Sequence, residues 1–280
     1  MKTTKYQIYD KEYEFSIEGS SAFKYGKNEL LSNKKKDIVF NQDWYKPGYK
    51  SIPFLSNDEF VELRNGLTKC IQTIIQNELG IELHDFDLSK YHHVVKTTED
   101  HYKVVSKTRD LFPEDFNFPI NTIFPKFEKN LGFNLSDIDP HSGGKMHIIV
   151  RINRPHSSDF NPPHKDIYEE VDKNNYIPQF VNFWIPICGV TEKSSLPVAE
   201  SSHLIKENKI LRTVDGGVIA GNNYRVRMIK EWGGSTALTR PQVNYGEYLI
   251  FSSHLVHGLA INEEDDNTRV ALEFRLFKVV

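Results

Sequence analysis

The 280-residue sequence has few cysteines, no long apolar run and little excess charge, and each shortage excludes a class of protein. Its two cysteines, Cys70 and Cys188, cannot build a disulfide framework, so we expect two small buried side chains in a reducing compartment. No stretch approaches the ~18 consecutive apolar residues of a membrane span. The first residues also lack the apolar run of a signal peptide. These features predict a cytoplasmic protein.

The charge balance disfavours nucleic acid as a partner. Lysine and arginine total 35 against 38 aspartate and glutamate residues, which gives a formal net charge of −3. The Lys34–Lys36 run is followed by Asp37 and has no basic aromatic surface beside it, so we interpret it as a solvated turn. A hydrophobic fraction of 39% is ordinary for a globular protein. The composition does not predict an oligomeric state.

The order of the periodic segments predicts one domain over residues 1–280, with no internal repeat or linker. Residues 1–140 form a mostly helical flank in this interpretation, and residues 141–280 form a β core. Two aromatic, alternating segments near the N-terminus, Tyr6–Tyr9 and Tyr13–Ile17, predict short strands or a hairpin.

Helical signals begin at Ser56, which with Glu59 forms a capping box before a run of apolar residues at helical spacing. Gly80 ends this first helix. A second helical stretch is predicted from about Phe86 to Phe112, with a break near Thr97, and a third ends at Gly132. Three histidines in the second stretch are interpreted as surface residues: His92, His93 and His101.

The periodicity then changes to that of strands. Alternate residues of Met146–Asn153 are apolar, while the other face carries His147, Ile149, Arg151 and Asn153, which is typical of a strand that is half exposed or lines a polar cavity. Further strands are predicted at Phe180–Cys188, Leu196–Ala199, Tyr224–Ile229, Tyr248–Ser252, Val256–Ile261 and Thr268–Val279.

A His-x-Asp motif lies in this β-rich half. His164 and Asp166 lie on the same side of an extended backbone because side chains alternate with period two, and Lys165 points the other way. A second histidine from a distant strand would complete the two-histidine, one-carboxylate set that is usual for non-haem Fe(II) oxygenases. His254 and His257 are the candidates, and we favour His257 because Gly258 would let a ligand or cofactor approach the backbone.

An arginine follows twelve residues after His257. Arg269 lies on a predicted strand, and a guanidinium that points into a β cavity needs an anionic partner, which a carboxylate supplies well. Arg275 has the same parity and is a rival for this role. Four other polar residues near the predicted cavity suggest a polar or anionic substrate: Asn153, Tyr168, Arg225 and Arg227.

These motifs, taken in order, resemble the Fe(II)- and 2-oxoglutarate-dependent dioxygenases of the phytanoyl-CoA dioxygenase type. The resemblance covers about half of the chain, from Met146 to Phe277. It runs through the following features: His164-x-Asp166, a turn ending Glu200-Ser201-Ser202-His203, Gly246-Glu247 before a strand, His257-Gly258, Asn262 and Arg269. The chain departs from that family in this turn, where Pro-Gly-Ser-His is usual, and in a long segment over residues 204–241. We expect this insert in the β core to form a lid or to face substrate.

The resemblance implies a double-stranded β-helix (a jelly-roll, cupin-like core) flanked by N-terminal helices. It also implies that His164, Asp166 and His257 bind Fe(II), and that Arg269 holds the distal carboxylate of 2-oxoglutarate. Arg151 and Asn182 are the best matches for further co-substrate contacts, with Trp184 a weaker one. Because Asp166 is present, halogenation is not expected.

The implied activity is oxidation of a small polar metabolite (an amino acid, a sugar or a secondary-metabolite intermediate) by O2, with release of succinate and CO2. Hydroxylation is the default outcome, and desaturation or cyclisation depends on the substrate. Two alternatives remain open: a cupin-like metalloenzyme, such as an isomerase, that does not use 2-oxoglutarate, and a non-catalytic jelly roll that binds a metabolite.

Overall fold

The computed structural model describes residues 2–18, 22–169, 177–219 and 221–279. Within these ranges the protein is mainly β. Its strands are β1 (Lys2–Ile8), β2 (Lys11–Glu18), β3 (Phe23–Tyr25), β4 (Tyr49–Pro53), β5 (Leu135–Ser136), β6 (Ile149–Asn153), β7 (Phe180–Cys188), β8 (Ile210–Thr213), β9 (Gly217–Ile219), β10 (Asn222–Tyr224), β11 (Ile229–Trp232), β12 (Ala237–Leu238), β13 (Glu247–Ser252) and β14 (Arg269–Lys278). Its α-helices are α1 (Asn57–Leu79), α2 (Tyr91–Val94), α3 (Thr98–Lys107) and α4 (Phe124–Leu131).

The largest sheet is antiparallel and has the order β4-β13-β7-β14, with β6 and β5 sharing the far edge of β14. Successive side chains of a strand point to opposite faces, so each strand divides its residues between two environments. On β7, Val181, Phe183 and Ile185 join the principal hydrophobic core, which also takes in α1, α3 and α4. The opposite face of the same strand carries Asn182 and Trp184.

Helix α1 is the best-defined element of the flank that covers this sheet. The hydroxyl of Ser56 accepts from the backbone N–H of Glu59, whose carboxylate in turn accepts from the N–H of Ser56. Gly80 ends the helix in the left-handed conformation, with φ of 67°. Between these ends, a stripe with helical spacing is buried against the sheet: Phe60, Leu63, Leu67, Cys70, Ile71 and Ile75.

Two smaller sheets lie on the other side of the molecule, with the orders β10-β9-β2-β1-β12 and β11-β8-β3. They share a second apolar cluster, formed by Tyr6, Ile8, Phe160, Ala199, Ile210, Ile229, Trp232, Leu238, Val256 and Leu259. The segments 160–169 and 253–259 run between these sheets and the large one. For example, Ile229 donates its N–H to the carbonyl of Pro163, 2.8 Å away, and Asp166 donates to Ser253.

Residues 204–241 are therefore not a lid. They contain β8 to β12, which pair with the N-terminal strands and build the second side of the molecule. The N-terminal hairpin is confirmed, since β1 and β2 pair from Lys2 opposite Ile17 to Ile8 opposite Lys11. The sequence alone does not show the role of residues 204–241, because their short strands pair with β1, β2 and β3, which are far away in the sequence.

Other expectations about the elements need correction. The second helical stretch is broken as expected, with Thr97 capping α3, but His101 is buried rather than on the surface. Its ring contacts Tyr91 and lies 3.3 Å from a carboxylate oxygen of Asp159. Three predicted strands are wrong. Leu196–Ala199 and Val256–Ile261 are irregular segments that contain isolated bridges at Val198 and His257 and further backbone hydrogen bonds. Tyr224–Ile229 is instead the connection between the end of β10 and the start of β11.

The cysteines are free and buried in the described structure, Cys70 in α1 and Cys188 at the end of β7. No helix within the described ranges combines the length and the apolar character that crossing a membrane requires.

Candidate metal and carboxylate site

The structure brings His164, Asp166 and His257 together between the sheets. His164 and His257 are joined by two backbone hydrogen bonds, each 2.9 Å from N to O, although 92 positions separate them in the sequence. One ligand-type atom from each of the three residues lies within 4.8 Å of the other two. This arrangement of two imidazoles and one carboxylate can hold a divalent metal ion.

Local hydrogen bonds orient both imidazoles for this role. The Nδ1 atom of His164 lies 2.8 Å from the carbonyl oxygen of Pro162, and that of His257 lies 3.0 Å from the carbonyl oxygen of Leu255. A carbonyl can only accept, so each Nδ1 carries the proton and each Nε2 presents a lone pair. Such second contacts fix the tautomer and ring orientation of metal-binding histidines.

Gly258 allows the two ligand segments to approach each other. Its φ is 129°, and a Cβ there would lie 2.6 Å from the carbonyl oxygen of Pro162. The expectation that this glycine makes room for a ligand or cofactor is therefore wrong, because the close neighbour is the chain beside His164. The next residue, Leu259, is buried with a positive φ of 57°, so the turn after His257 is tightly constrained.

Asp166 is held as a carboxylate by two donors. The side-chain amide of Asn182 donates to Oδ2 and the guanidinium of Arg275 donates to Oδ1, both at 2.7 Å. Burial alone would raise the pKa of Asp166, but Arg275 and the two histidines outweigh it and lower that pKa to about 2. Burial, together with His257, lowers the pKa of His164 to about 3. At neutral pH Asp166 is therefore a carboxylate and His164 a neutral imidazole, the forms that bind a metal.

Arg269 is the most unusual side chain of the site. It opens β14, is 2% exposed and has its pKa lowered to about 9 by burial. One nitrogen, Nη1, donates to Oδ1 of Asn153, while Nε and Nη2 have no hydrogen-bond partner in the described structure. Its guanidinium lies 5.3 Å from the ring of Trp184, whose Nε1 is also unpartnered within the same ranges. A buried guanidinium with two free donors indicates a place for an anion.

Arg151 and Asn182, the other predicted co-substrate contacts, lie on the same face of the sheet but already have partners. Asn182 donates to the metal-site carboxylate, as described above. The Nε of Arg151 donates to Glu273 at 2.9 Å. Burial raises the pKa of Glu273, but Arg151 and Arg275 more than offset this and keep the pKa below its ordinary value.

The structure distinguishes the rival candidates by their contacts. Arg275, which competed with Arg269 for the anion, instead contacts Asp166. His254, which competed with His257, is fully buried outside the three-residue cluster, with Nε2 3.4 Å from the carbonyl oxygen of Lys36. His203, in the turn that departs from the family pattern, packs on Tyr45 and hydrogen-bonds its carbonyl oxygen at 2.7 Å.

Lys165 does not face the metal site but anchors the segment that carries it. Its ammonium is buried and bonds the carboxylate of Glu207, while Arg212 of β8 bonds Glu169. Arg212 also lies 4.9 Å from the ring of Tyr168. This buried group of Lys165, Glu169, Glu207 and Arg212, the ionic clamp, fastens the residues around His164 and Asp166 to the second side of the molecule.

The four residues predicted to face substrate have different environments. Asn153 binds Arg269, and the hydroxyl of Tyr168 accepts from the N–H of Lys165 and donates to the carbonyl oxygen of Arg227. Arg225 and Arg227 line a surface depression of about 440 Å³ beside Tyr224. Sequence analysis missed Asn153 as the partner of Arg269 and Glu273 as that of Arg151, although strand parity places all four on one face.

Comparison with known proteins gives only distant structural likeness. No family model and no curated protein matches the chain. Among solved structures, it is similar to EvdO2 from Micromonospora carbonacea var. aurantiaca, at 11% identity and a TM-score of 0.45 over 91% of this chain and 96% of that one. It is also similar to the nickel complex of the non-heme monooxygenase ThoJ, at 14% identity and a TM-score of 0.42 over 84% and 75%.

A third similar structure is the epimerase SnoN in complex with Fe3+, alpha ketoglutarate and nogalamycin RO, at 14% identity and a TM-score of 0.41 over 84% of this chain and 80% of that one. Values this low do not transfer a ligand or an activity. The chemistry of the site therefore has to be inferred from its own side chains.

Proposed function

We propose that the chain is an Fe(II)- and 2-oxoglutarate-dependent oxygenase built on a double-stranded β-helix core. The observation that carries the proposal is Arg269, a buried guanidinium with two unused donors, on the same face of the sheet as Asn182 and Arg275, which bind Asp166. A metal-chelating dicarboxylate such as 2-oxoglutarate would bind the metal ion at one end and the guanidinium of Arg269 at the other. A metalloenzyme that uses no such co-substrate has no need for the buried cation.

The donor set fits iron. Two neutral imidazole nitrogens and a carboxylate leave open positions on the metal, and these are the ligands that non-haem Fe(II) sites use. When bound there with 2-oxoglutarate, iron would supply O2 activation coupled to release of succinate and CO2. His164, Asp166 and His257 would hold the ion. The order of these motifs also supports the phytanoyl-CoA dioxygenase type as the nearest family pattern.

The surrounding side chains have distinct roles in this proposal. Asn182 and Arg275 bind one oxygen each of Asp166, which favours coordination of the metal through a single oxygen. Asn153 holds Arg269, and Trp184 covers its guanidinium face. With water excluded around Arg269, its attraction for the distal carboxylate is stronger than in solvent. The co-substrate would thereby be oriented from both ends.

We expect the substrate to be a small polar metabolite (an amino acid, a sugar or a secondary-metabolite intermediate), with hydroxylation as the outcome. Three charged side chains beside the metal ligands reach solvent: Arg275 is 27% exposed, Arg151 19% and Glu273 20%. Arg275 contacts Asp166 directly, and Arg151 and Glu273 pair with each other on the same face of the sheet. Their charges favour a substrate with hydrogen-bonding or ionic groups over a hydrocarbon chain.

The test is succinate release from 2-oxoglutarate by the purified chain supplied with Fe(II) and O2. We expect release by the wild type and none by His164→Ala, Asp166→Ala or His257→Ala. His254→Ala is the matched control, because it removes an equally buried histidine outside the cluster. Loss of bound iron in His254→Ala but not in His257→Ala would overturn the ligand assignment, and wild-type protein that binds iron without consuming 2-oxoglutarate would favour a cupin-like metalloenzyme. Stoichiometric metal in the wild type and none in His257→Ala would argue against a metal-free binding protein.

A further inference from the structure

A second cluster of metal-binding side chains lies on the surface, apart from the site described above. His92 and His93 belong to α2, and Asp266 belongs to the turn before β14. The Nε2 atoms of the two histidines lie 3.0 Å and 2.7 Å from the same oxygen, Oδ1 of Asp266. In the described ranges this is the second of two groups whose ligand-type atoms lie within 4.8 Å of one another.

The separations are close to those that a metal ion requires. Ligand bonds of ~2.1 Å in tetrahedral geometry place ligand atoms ~3.4 Å apart. The two observed nitrogen-to-oxygen distances are shorter than this by roughly half an ångström. Because the side chains of His93 and Asp266 are each 57% exposed, small rotations can provide that opening without disturbing the core.

Neighbouring groups already orient two of the three side chains. The Nδ1 atom of His92 lies 2.8 Å from Oγ1 of Thr268, so a proton on Nδ1 would leave the lone pair of Nε2 free for a metal. Lys90 donates to Oδ2 of Asp266 at 2.7 Å, which leaves Oδ1 turned toward the histidines. Contacts of this kind resemble the outer hydrogen bonds of established metal sites.

We propose that His92, His93 and Asp266 form a second, solvent-open site for a divalent transition metal such as Zn(II). Imidazole nitrogens select zinc, copper, nickel or cobalt over magnesium and calcium, which prefer oxygen ligands. Solvent exposure leaves the remaining coordination positions to water. A metal ion there would replace the direct contacts between the two imidazoles and the carboxylate of Asp266.

The position of this site connects it to the predicted co-substrate anchor. Thr268, which contacts His92, directly precedes Arg269 in the sequence and donates its N–H to the carbonyl oxygen of Ser89 at 2.7 Å. The turn is closed by Asn262, whose side-chain amide donates to the carbonyl oxygen of Asn267 at 2.7 Å. Metal binding would therefore fasten α2 to the chain that leads into β14, and should stabilise the folded state.

Zinc counting tests this proposal without using oxygenase activity. Protein stripped with a chelator is dialysed to equilibrium against Zn(II), and bound metal is measured by mass spectrometry. We expect two zinc ions in the wild type, one in Asp266→Asn, one in His93→Ala and one in His164→Ala. The double variant His164→Ala/Asp266→Asn should bind none.

His156→Ala is the matched control. His156 lies 3.3 Å from Asp265 in an exposed His–Asp pair outside the two clusters, so the control should keep both zinc ions. Competition with a chelating dye should show that His93→Ala weakens the second zinc at least about tenfold, since even outer-contact losses cost that much. The proposal is overturned if Asp266→Asn and His93→Ala bind as much zinc as the wild type with the same affinity, or if wild-type protein binds one ion that His164→Ala alone removes.

Discussion

The two faces of the large sheet carry different kinds of side chain, apolar on one and charged on the other. On β14, Leu272 and Phe274 point into the core with the helices, while Arg269, Glu273 and Arg275 point to the opposite side. Both faces are largely shielded from water, but the charged side chains that are buried or half-buried lie on only one of them. Burial of apolar side chains stabilises the fold, whereas burial of a charge costs free energy unless the charge has ionic or hydrogen-bonding partners. The difference teaches that fold stability and chemistry are divided between alternate residues of the same strands.

The largest expected effect on stability comes from the helix-facing side. Phe183→Ala removes a fully buried ring that stacks on Phe127 with centroids 4.1 Å apart. We expect a loss of ~3–5 kcal/mol in the free energy of unfolding, measured by denaturant titration. Metal binding by the folded variant should be unchanged. A fall in metal affinity as large as the fall in stability would contradict the assignment of stability and metal binding to different faces of the sheet.

On the opposite face, Arg269→Met should act on binding rather than on stability. Removing a buried charge with two donor nitrogens that lack partners should leave the free energy of unfolding unchanged or increase it. Affinity for 2-oxoglutarate should fall by ~2–5 kcal/mol, because the distal carboxylate would lose its charged partner. Isothermal titration of the metal-loaded protein measures this loss. Arg225→Met, which removes an exposed arginine, is the control and should bind 2-oxoglutarate normally.

A smaller effect is expected from Asn182→Ala, which removes a donor to the metal-site carboxylate. Metal affinity should fall about 10–100-fold, as is typical when an outer contact of a ligand is lost. The matched control is Asn130→Ala, because the amide of Asn130 donates to Tyr248 on the helix-facing side at 3.0 Å. That control should lower stability slightly and leave metal affinity intact. Equal metal affinity in Asn182→Ala and wild type would argue against Asp166 as a ligand.

The smallest effect concerns pH and a buried histidine among the helices. Burial lowers the pKa of His101 to about 4, in spite of the opposing attraction of Asp159. The unfolded chain therefore takes up this proton first, and the stabilising contribution is complete above the ordinary histidine pKa of ~6.5 and is lost as pH falls toward 4. His101→Asn should reduce the slope of unfolding free energy against pH by up to ~1.4 kcal/mol per unit in that window. An unchanged slope between pH 6.5 and 4 would show that His101 is not buried in its neutral form.

Local signals in the sequence predicted the local structure well. The capping residues of α1 and the alternation of Met146–Asn153 depend on neighbours a few positions away, and the structure has both features. Alternation also correctly placed Arg269 and Arg275 on one face. It could not show that the two arginines have different partners, because those partners come from β6 and from the segment of Asp166.

Long-range pairing accounts for most of what sequence analysis missed. The lid interpretation of residues 204–241 is wrong because three of their short strands pair with β1, β2 and β3. Local patterns in the sequence do not show this pairing. Gly258 lies close to Pro162, which is far away in the sequence, so no local pattern shows this contact. His92 and His93 were interpreted as ordinary surface residues, and only the fold places Asp266 against them.

The central claim is that Arg269 and the residues His164, Asp166 and His257 hold one metal-bound dicarboxylate. Anaerobic titration of the Fe(II)-loaded protein with 2-oxoglutarate, followed by visible absorption, tests it most directly. We expect a charge-transfer band in the wild type that saturates at one 2-oxoglutarate per iron, and that in Arg269→Met requires much higher 2-oxoglutarate concentrations. Wild-type protein that holds one iron in this site but develops no band would contradict the account.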